Sequence, residues 1–155
     1  MQPALSSNMS EIIRIRCPSD VIYAQIRSRL SAGSLGFGVK EQWEISVSVS
    51  EAATNILKFA GSGEICFTGI EGDRPGLEFQ ARDRGPGISD PELAVKDDYS
   101  EGRLLDENVI RYKLRGMGSG LPAIQRLMDE LLIACPPEGG TLVTARKYLR
   151  MEVML

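Results

Sequence analysis

The sequence has no histidine. That absence excludes Ser-His-Asp and Cys-His hydrolases, metalloproteases of the HExxH type and any kinase that phosphorylates its own histidine. Chemistry must run on carboxylates, amides, backbone N–H groups, lysine, arginine or a bound ion. Cysteine is scarce too: Cys17, Cys66 and Cys135 are widely spaced and odd in number. They read as reduced thiols packed as small apolar groups, and a CxxC zinc clip is excluded. No run of about 18 apolar residues occurs, and residues 1–10 lack a basic, apolar signal pattern. A soluble, cytoplasmic chain with no membrane partner is expected. There is also no long basic run to track a phosphate backbone. With 18 basic and 21 acidic side chains the formal charge is -3, so nucleic acid is not expected as a partner.

What is present suits one globular domain. The 155 residues are 43% apolar and 25% charged, and a chain of this size buries roughly 70% of its unfolded surface without help from disulfides or metal. Residues 1–10 read as a flexible tail and 11–150 as a single domain. Ile13, Ile15 and Cys17 alternate with Arg14 and Arg16, the period of a half-buried strand. Pro18-Ser19-Asp20 opens a helix in which Val21, Ile22, Ile26 and Leu30 recur at helical spacing, and Gly33 to Gly38 end it. A longer helix is predicted from about Val39 to Ala60, with Ile45, Val49, Ala52, Ile56 and Phe59 in one stripe, stopped by Gly61 and Gly63.

Two strands follow, Glu64 to Ile70 and Leu77 to Asp83, joined by a turn-forming stretch. In the second, Leu77, Phe79 and Ala81 share a face with Asp83, so an acid falls on the apolar side. Residues 89–115 are charged, lack sustained periodicity and exceed an ordinary connection, which predicts a mobile lid. A helix begins near Leu121-Pro122 and runs through Ile124, Leu127 and Met128. Strands at about Leu131 to Cys135 and Thr141 to Leu149 close the chain. This order predicts an α/β (α+β) two-layer sandwich, one mixed, mainly antiparallel sheet with helices on one face.

Four constellations could carry chemistry. Glu51 and Asn55 lie at i and i+4 of the long helix, so carboxylate and amide project together and could orient a hydroxyl and ligate a hard cation; the same pair also suits an ordinary solvated helix face. Asp83-Arg84-Gly85-Pro86-Gly87 puts an acid at a strand end before glycines that admit close backbone approach, which suits an exocyclic amine of a planar base, or simply a capped turn. Gly116-Met117-Gly118-Ser119-Gly120 leads into a helix, exposing backbone amides where the helix start adds partial positive charge, an anion cradle or a hinge. Neither a dinucleotide fingerprint nor a Walker loop fits, because Leu121 stands where a glycine is required and no Gly-Lys-Ser/Thr ending occurs. Gly140-Thr141 heads the last strand, where a hydroxyl could reach a base or serve as an ordinary strand residue.

In order and spacing, the four constellations resemble the N, G1 and G2 boxes and final Gly-Thr of the GHKL (Bergerat-fold) ATP-binding superfamily, over about residues 11 to 149. The resemblance implies ATP and Mg2+ as cofactors. It implies that Asn55 ligates magnesium, Asp83 contacts the adenine amine, and Gly85 and Gly87 belong to the box that shapes the base pocket. Gly116, Met117, Gly118, Ser119 and Gly120 would wrap the phosphates and Thr141 would support the adenine contact. A bare module without histidine looks like the small serine/threonine kinases of bacterial partner switching, in which the glutamate matching Glu51 is the general base. The stretches Glu51 to Gly61, Arg115 to Pro122 and Arg126 to Glu130 are most similar to the stressosome switch-kinase branch; Phe59 departs from the tyrosine expected there. Arg115, beside the phosphate loop, is an expected γ-phosphate contact. The implied reaction is phosphoryl transfer from ATP to a serine or threonine of a STAS-domain antagonist or scaffold protein. The alternative is an anti-sigma factor or nucleotide-switched binding module that sequesters a sigma factor or activates a downstream phosphatase.

Overall fold

A computed structural model describes residues 10–85, 99–100, 103–104 and 120–150 of the chain. Strand β1 (Ser10–Ile15) leads into helices α1 (Pro18–Leu35) and α2 (Val39–Phe59), then strands β2 (Gly63–Ile70) and β3 (Gly76–Asp83). Two short strands, β4 (Tyr99–Ser100) and β5 (Arg103–Leu104), pair with each other inside the segment expected to be a lid. Helix α3 (Gly120–Leu127) and strands β6 (Glu130–Ala134) and β7 (Thr141–Tyr148) follow. The main sheet has the order β1-β2-β3-β7-β6, and each of its described pairings is antiparallel. The predicted two-layer α+β sandwich is the fold observed, with the helices on one face.

Alternation along the strands explains the layering. Ile13 and Ile15, Ile65 and Phe67, Leu77, Phe79 and Ala81, and Val143 and Ala145 all point under the helices and are buried. On the open face Arg146 bonds Glu78 at 2.6 Å and Glu130 at 3.2 Å, linking three neighbouring strands, while Ile12 and Leu132 are exposed there.

Helix α2 buries Ile45, Val49, Ala52 and Ile56 of the expected stripe, and its last member, Phe59, is half-buried. Glu41 in its first turn and Lys58 in its last complement the helix dipole, and Gly61, at φ 82°, turns the chain away. Helix α1 begins at the expected Pro18. The Asp20 carboxylate accepts the backbone N–H of Arg16 at 2.8 Å and of Cys17 at 3.2 Å, which holds its pKa below the usual value. The helix ends at Leu35 and is capped by Gly36 at φ 105°, inside the stretch Gly33 to Gly38 expected to end it.

The face that α1 buries corrects the sequence reading. Ala24, Ser28, Ser31 and Ala32 face inward; of the apolar residues that form the helical pattern, Val21 packs partly buried against the core, whereas Ile22, Ile26 and Leu30 are exposed. Small side chains let α1 approach α2 and the sheet closely, and most of the apolar stripe is left on the outside. Ile26→Gln is therefore expected to change stability by less than about 0.5 kcal/mol. Denaturant unfolding checks this; a loss above about 2 kcal/mol would place Ile26 in the core.

Lys147 is a buried cation on the helix-facing side of β7. Its Nζ donates to the Leu127 carbonyl at the end of α3 at 2.6 Å and lies 3.5 Å from Glu44 of α2. It thereby ties α2, α3 and β7 together at the end of α3 away from Gly120.

Candidate nucleotide site

The site is a meeting of three edges: the second half of α2, the adjoining ends of β3 and β7, and the start of α3. Glu51 and Asn55 stand one turn apart on α2. Gly120, the first residue of α3, packs directly on them. A Cβ at that position would lie 3.0 Å from Asn55 Nδ2, 3.2 Å from Asn55 Oδ1 and 3.3 Å from Glu51 Oε2. A side chain there would press on the two polar groups, and glycine lets the start of α3 sit against them undisturbed. Burial pushes the Glu51 carboxyl up, and the Lys58 charge opposes it.

Asp83 ends β3 opposite Thr141, which begins β7. Its Oδ1 accepts the N–H of Gly85 at 2.8 Å. Burial pushes its carboxyl above the ordinary value of 3.8, while the backbone N–H groups of Gly85 and Thr141 hold it down. Gly85 lies against the end of α2, where a Cβ would be 2.9 Å from the Phe59 carbonyl oxygen and from Ala60 Cβ. The turn after Asp83 is thus fastened to the helix that carries Asn55. Gly140 has φ 89°, and a Cβ there would collide with the Asp83 carbonyl and lie 2.9 Å from Arg84 Cα. Of the Gly140-Thr141 pair singled out in the sequence, Gly140 is thus the residue that lets the head of β7 close on the Asp83 backbone.

The fold therefore brings together Glu51, Asn55 and Gly120 on one side and Asp83, Gly85 and Thr141 on the other. Gly87, Arg115, Gly116, Met117, Gly118 and Ser119 lie outside the described residues, as does most of segment 89–115.

Asn55 Oδ1 is buried and has no hydrogen-bond partner among the described residues. Such an atom costs about 1–3 kcal/mol until a ligand satisfies it. A hard cation fits this requirement, and Mg2+ characteristically takes one or two protein oxygens and completes its shell with water and phosphate. Among the described residues no cluster of three or more acidic, histidine or cysteine side chains competes as a metal centre. Nor is any described helix long and apolar enough to cross a membrane.

The α+β domain thus carries a helix-borne carboxylate and amide packed under the glycine that starts α3, and a separate acid at the end of a strand. Residues 21–147 match the histidine kinase-like ATPase domain, and the chain belongs to that family, whose implied ligand is ATP. It is 37% identical over 147 residues to the serine/threonine-protein kinase RsbT of Bacillus subtilis, covering 92% of this chain and 99% of that protein. An anti-sigma F factor of Thermoanaerobacter sp. (strain X514) is 28% identical over 145 residues, with 92% and 95% covered. A chain of the crystal structure of the SiaB-SiaC complex from Pseudomonas aeruginosa shares the fold, with a TM-score of 0.55, 13% identity and 91% and 89% of the two chains covered.

The raised Asp83 pKa gives a pH dependence. Its folded-state value lies above the unfolded one, so the group favours the fold below its unfolded pKa and loses that contribution as pH rises through the folded pKa. ATP binding that needs the anion runs in the opposite sense. Affinity is expected to fall as pH is lowered through a range above 3.8, and calorimetry of Asp83→Asn should lack this dependence.

Proposed function

We infer that this protein is an ATP-dependent serine/threonine kinase of a partner-switching pathway. The observation that carries this reading is the Glu51-Asn55 pair packed under Gly120, in a chain 37% identical to a serine/threonine-protein kinase. Asp83, with Thr141 beside it, receives the adenine amine, and Gly85 and Gly87 shape the base pocket. The loop Gly116 to Gly120 wraps the phosphates, Arg115 contacts the γ-phosphate, and segment 89–115 closes over the nucleotide within a single domain, 11–150. Asn55 Oδ1 would hold Mg2+, which supplies neutralisation of phosphate charge when bound.

Glu51 orients the acceptor hydroxyl and takes its proton. The hydroxyl oxygen forms a bond to the γ-phosphorus while the bond to the β–γ bridging oxygen breaks, so ADP leaves and the acceptor carries the phosphate. Partial burial raises the basicity of Glu51 and suits it to that task. The acceptor is proposed to be a STAS-domain protein, and a cytoplasmic location goes with that partner.

The anti-sigma F relatives support a second reading, sequestration of a sigma factor or activation of a phosphatase, with nucleotide as a switch. Radiolabelled ATP incubated with the protein and either a STAS domain or a sigma factor tests both. Label on a serine or threonine of the STAS domain is expected. Tight sigma-factor binding with no transfer to any STAS domain would replace the kinase reading with the sequestering one.

A further inference from the structure

Among the described residues, the outward surface of the helix layer carries exposed apolar side chains. On α2, Trp43 and Val47 are 47% and 37% exposed. On α1, whose Arg29 lies over the Trp43 ring, Ile26 and Leu30 are 50% and 57% exposed. At 100° per residue, Trp43, Val47 and Glu51 follow one another at i, i+4 and i+8, each about 40° further round α2 toward the nucleotide site. The core side of α2 is buried under the sheet, and Gly120 closes the far side of Glu51. Among the described residues, the Trp43-Val47 surface is the side from which a macromolecular hydroxyl can approach Glu51.

We propose that this surface of α2 is the docking face for the phosphoacceptor protein, which seats an apolar patch on Trp43 and Val47 and thereby delivers its serine or threonine to Glu51. The proposal rests on the kinase reading and names how that reaction recognises its protein substrate. Trp43 is prepared for the contact: the Arg29 guanidinium lies 3.9 Å from the centroid of its ring, which fixes the indole before a partner arrives. Large aromatic anchors of this kind dominate protein interfaces. Exposed Lys40 and Lys58 stand on the same side of α2, one near each end, with Glu51 between them. The complementary partner face is apolar at its centre and acidic at its margins.

The test is transfer kinetics with a STAS-domain protein as acceptor. Val47→Lys and, separately, Trp43→Ala are expected to raise the KM for the acceptor at least about tenfold while leaving kcat and ATP affinity near wild type. Leu132→Lys is the control, because Leu132 is also an exposed apolar side chain but lies on the open face of the sheet, opposite Thr144; it should change nothing. Far-ultraviolet circular dichroism and ATP binding establish that each variant is folded, and the milder Val47→Thr keeps the test available should a larger change disturb α2. An unchanged acceptor KM in both α2 variants, or an equal rise in Leu132→Lys, overturns the docking face while the kinase reading stands. Absence of transfer by the wild-type protein is a different result: it removes the kinase reading, and the docking face with it.

Discussion

Glu51→Ala is expected to lower phosphoryl transfer by about 10² to 10⁴, the usual worth of general-base assistance, while ATP affinity stays within a few-fold of wild type. The split follows from position. Glu51 lies on α2 one turn from Asn55 and toward its outward surface, whereas Asn55 carries a buried oxygen with no partner among the described residues. Removing the carboxylate takes away the proton acceptor and leaves the nucleotide's own contacts in place. Asn55→Ala should reduce both binding and transfer, because its amide oxygen is the candidate metal ligand. Parallel calorimetry and single-turnover transfer separate the two effects. Equal loss of ATP affinity in both variants would contradict distinct roles for the two residues.

Asp83→Ala is expected to weaken ATP binding about ten- to a hundredfold, the roughly 1.5–3 kcal/mol of a hydrogen bond to a charged group. The carboxylate is held at the end of β3 by the N–H groups of Gly85 and Thr141, so it is oriented before the base arrives. GTP should bind poorly to the wild-type protein, since its carbonyl would face the carboxylate where adenine presents an amine. Direct titration of both nucleotides decides the matter. Equal affinities for ATP and GTP would remove the base assignment from Asp83.

The sheet was readable because alternation is unambiguous where one face is buried. Leu77, Phe79 and Ala81 predicted both β3 and the inward setting of Asp83. Helix α2 was readable for the corresponding reason, a single stripe at helical spacing. Helix α1 was predicted in place but turned the wrong way round, since hydrophobic pattern alone assigns Ile22, Ile26 and Leu30 to the core. Close helix packing instead selected the small residues Ala24, Ser28 and Ala32. Local sequence contains no sign that a tight interface needs small side chains more than large ones. The groove itself was partly legible: Glu51 with Asn55, and Asp83 with Gly85, are local spacings. What joins them, Gly120 packed on α2 and Gly140 against the Asp83 carbonyl, depends on contacts between segments 65 or more residues apart in one case and 57 in the other, which no short motif encodes.

A crystal structure of the protein with Mg2+ and a non-hydrolysable ATP analogue would test the site most directly. The expected result has the adenine amine on the Asp83 carboxylate, Asn55 Oδ1 on the metal at about 2.1 Å, and the γ-phosphate on the Glu51 side of the groove. Nucleotide bound elsewhere on the fold, or held in this groove with Asn55 turned from the metal and Glu51 remote from the γ-phosphate, would contradict it.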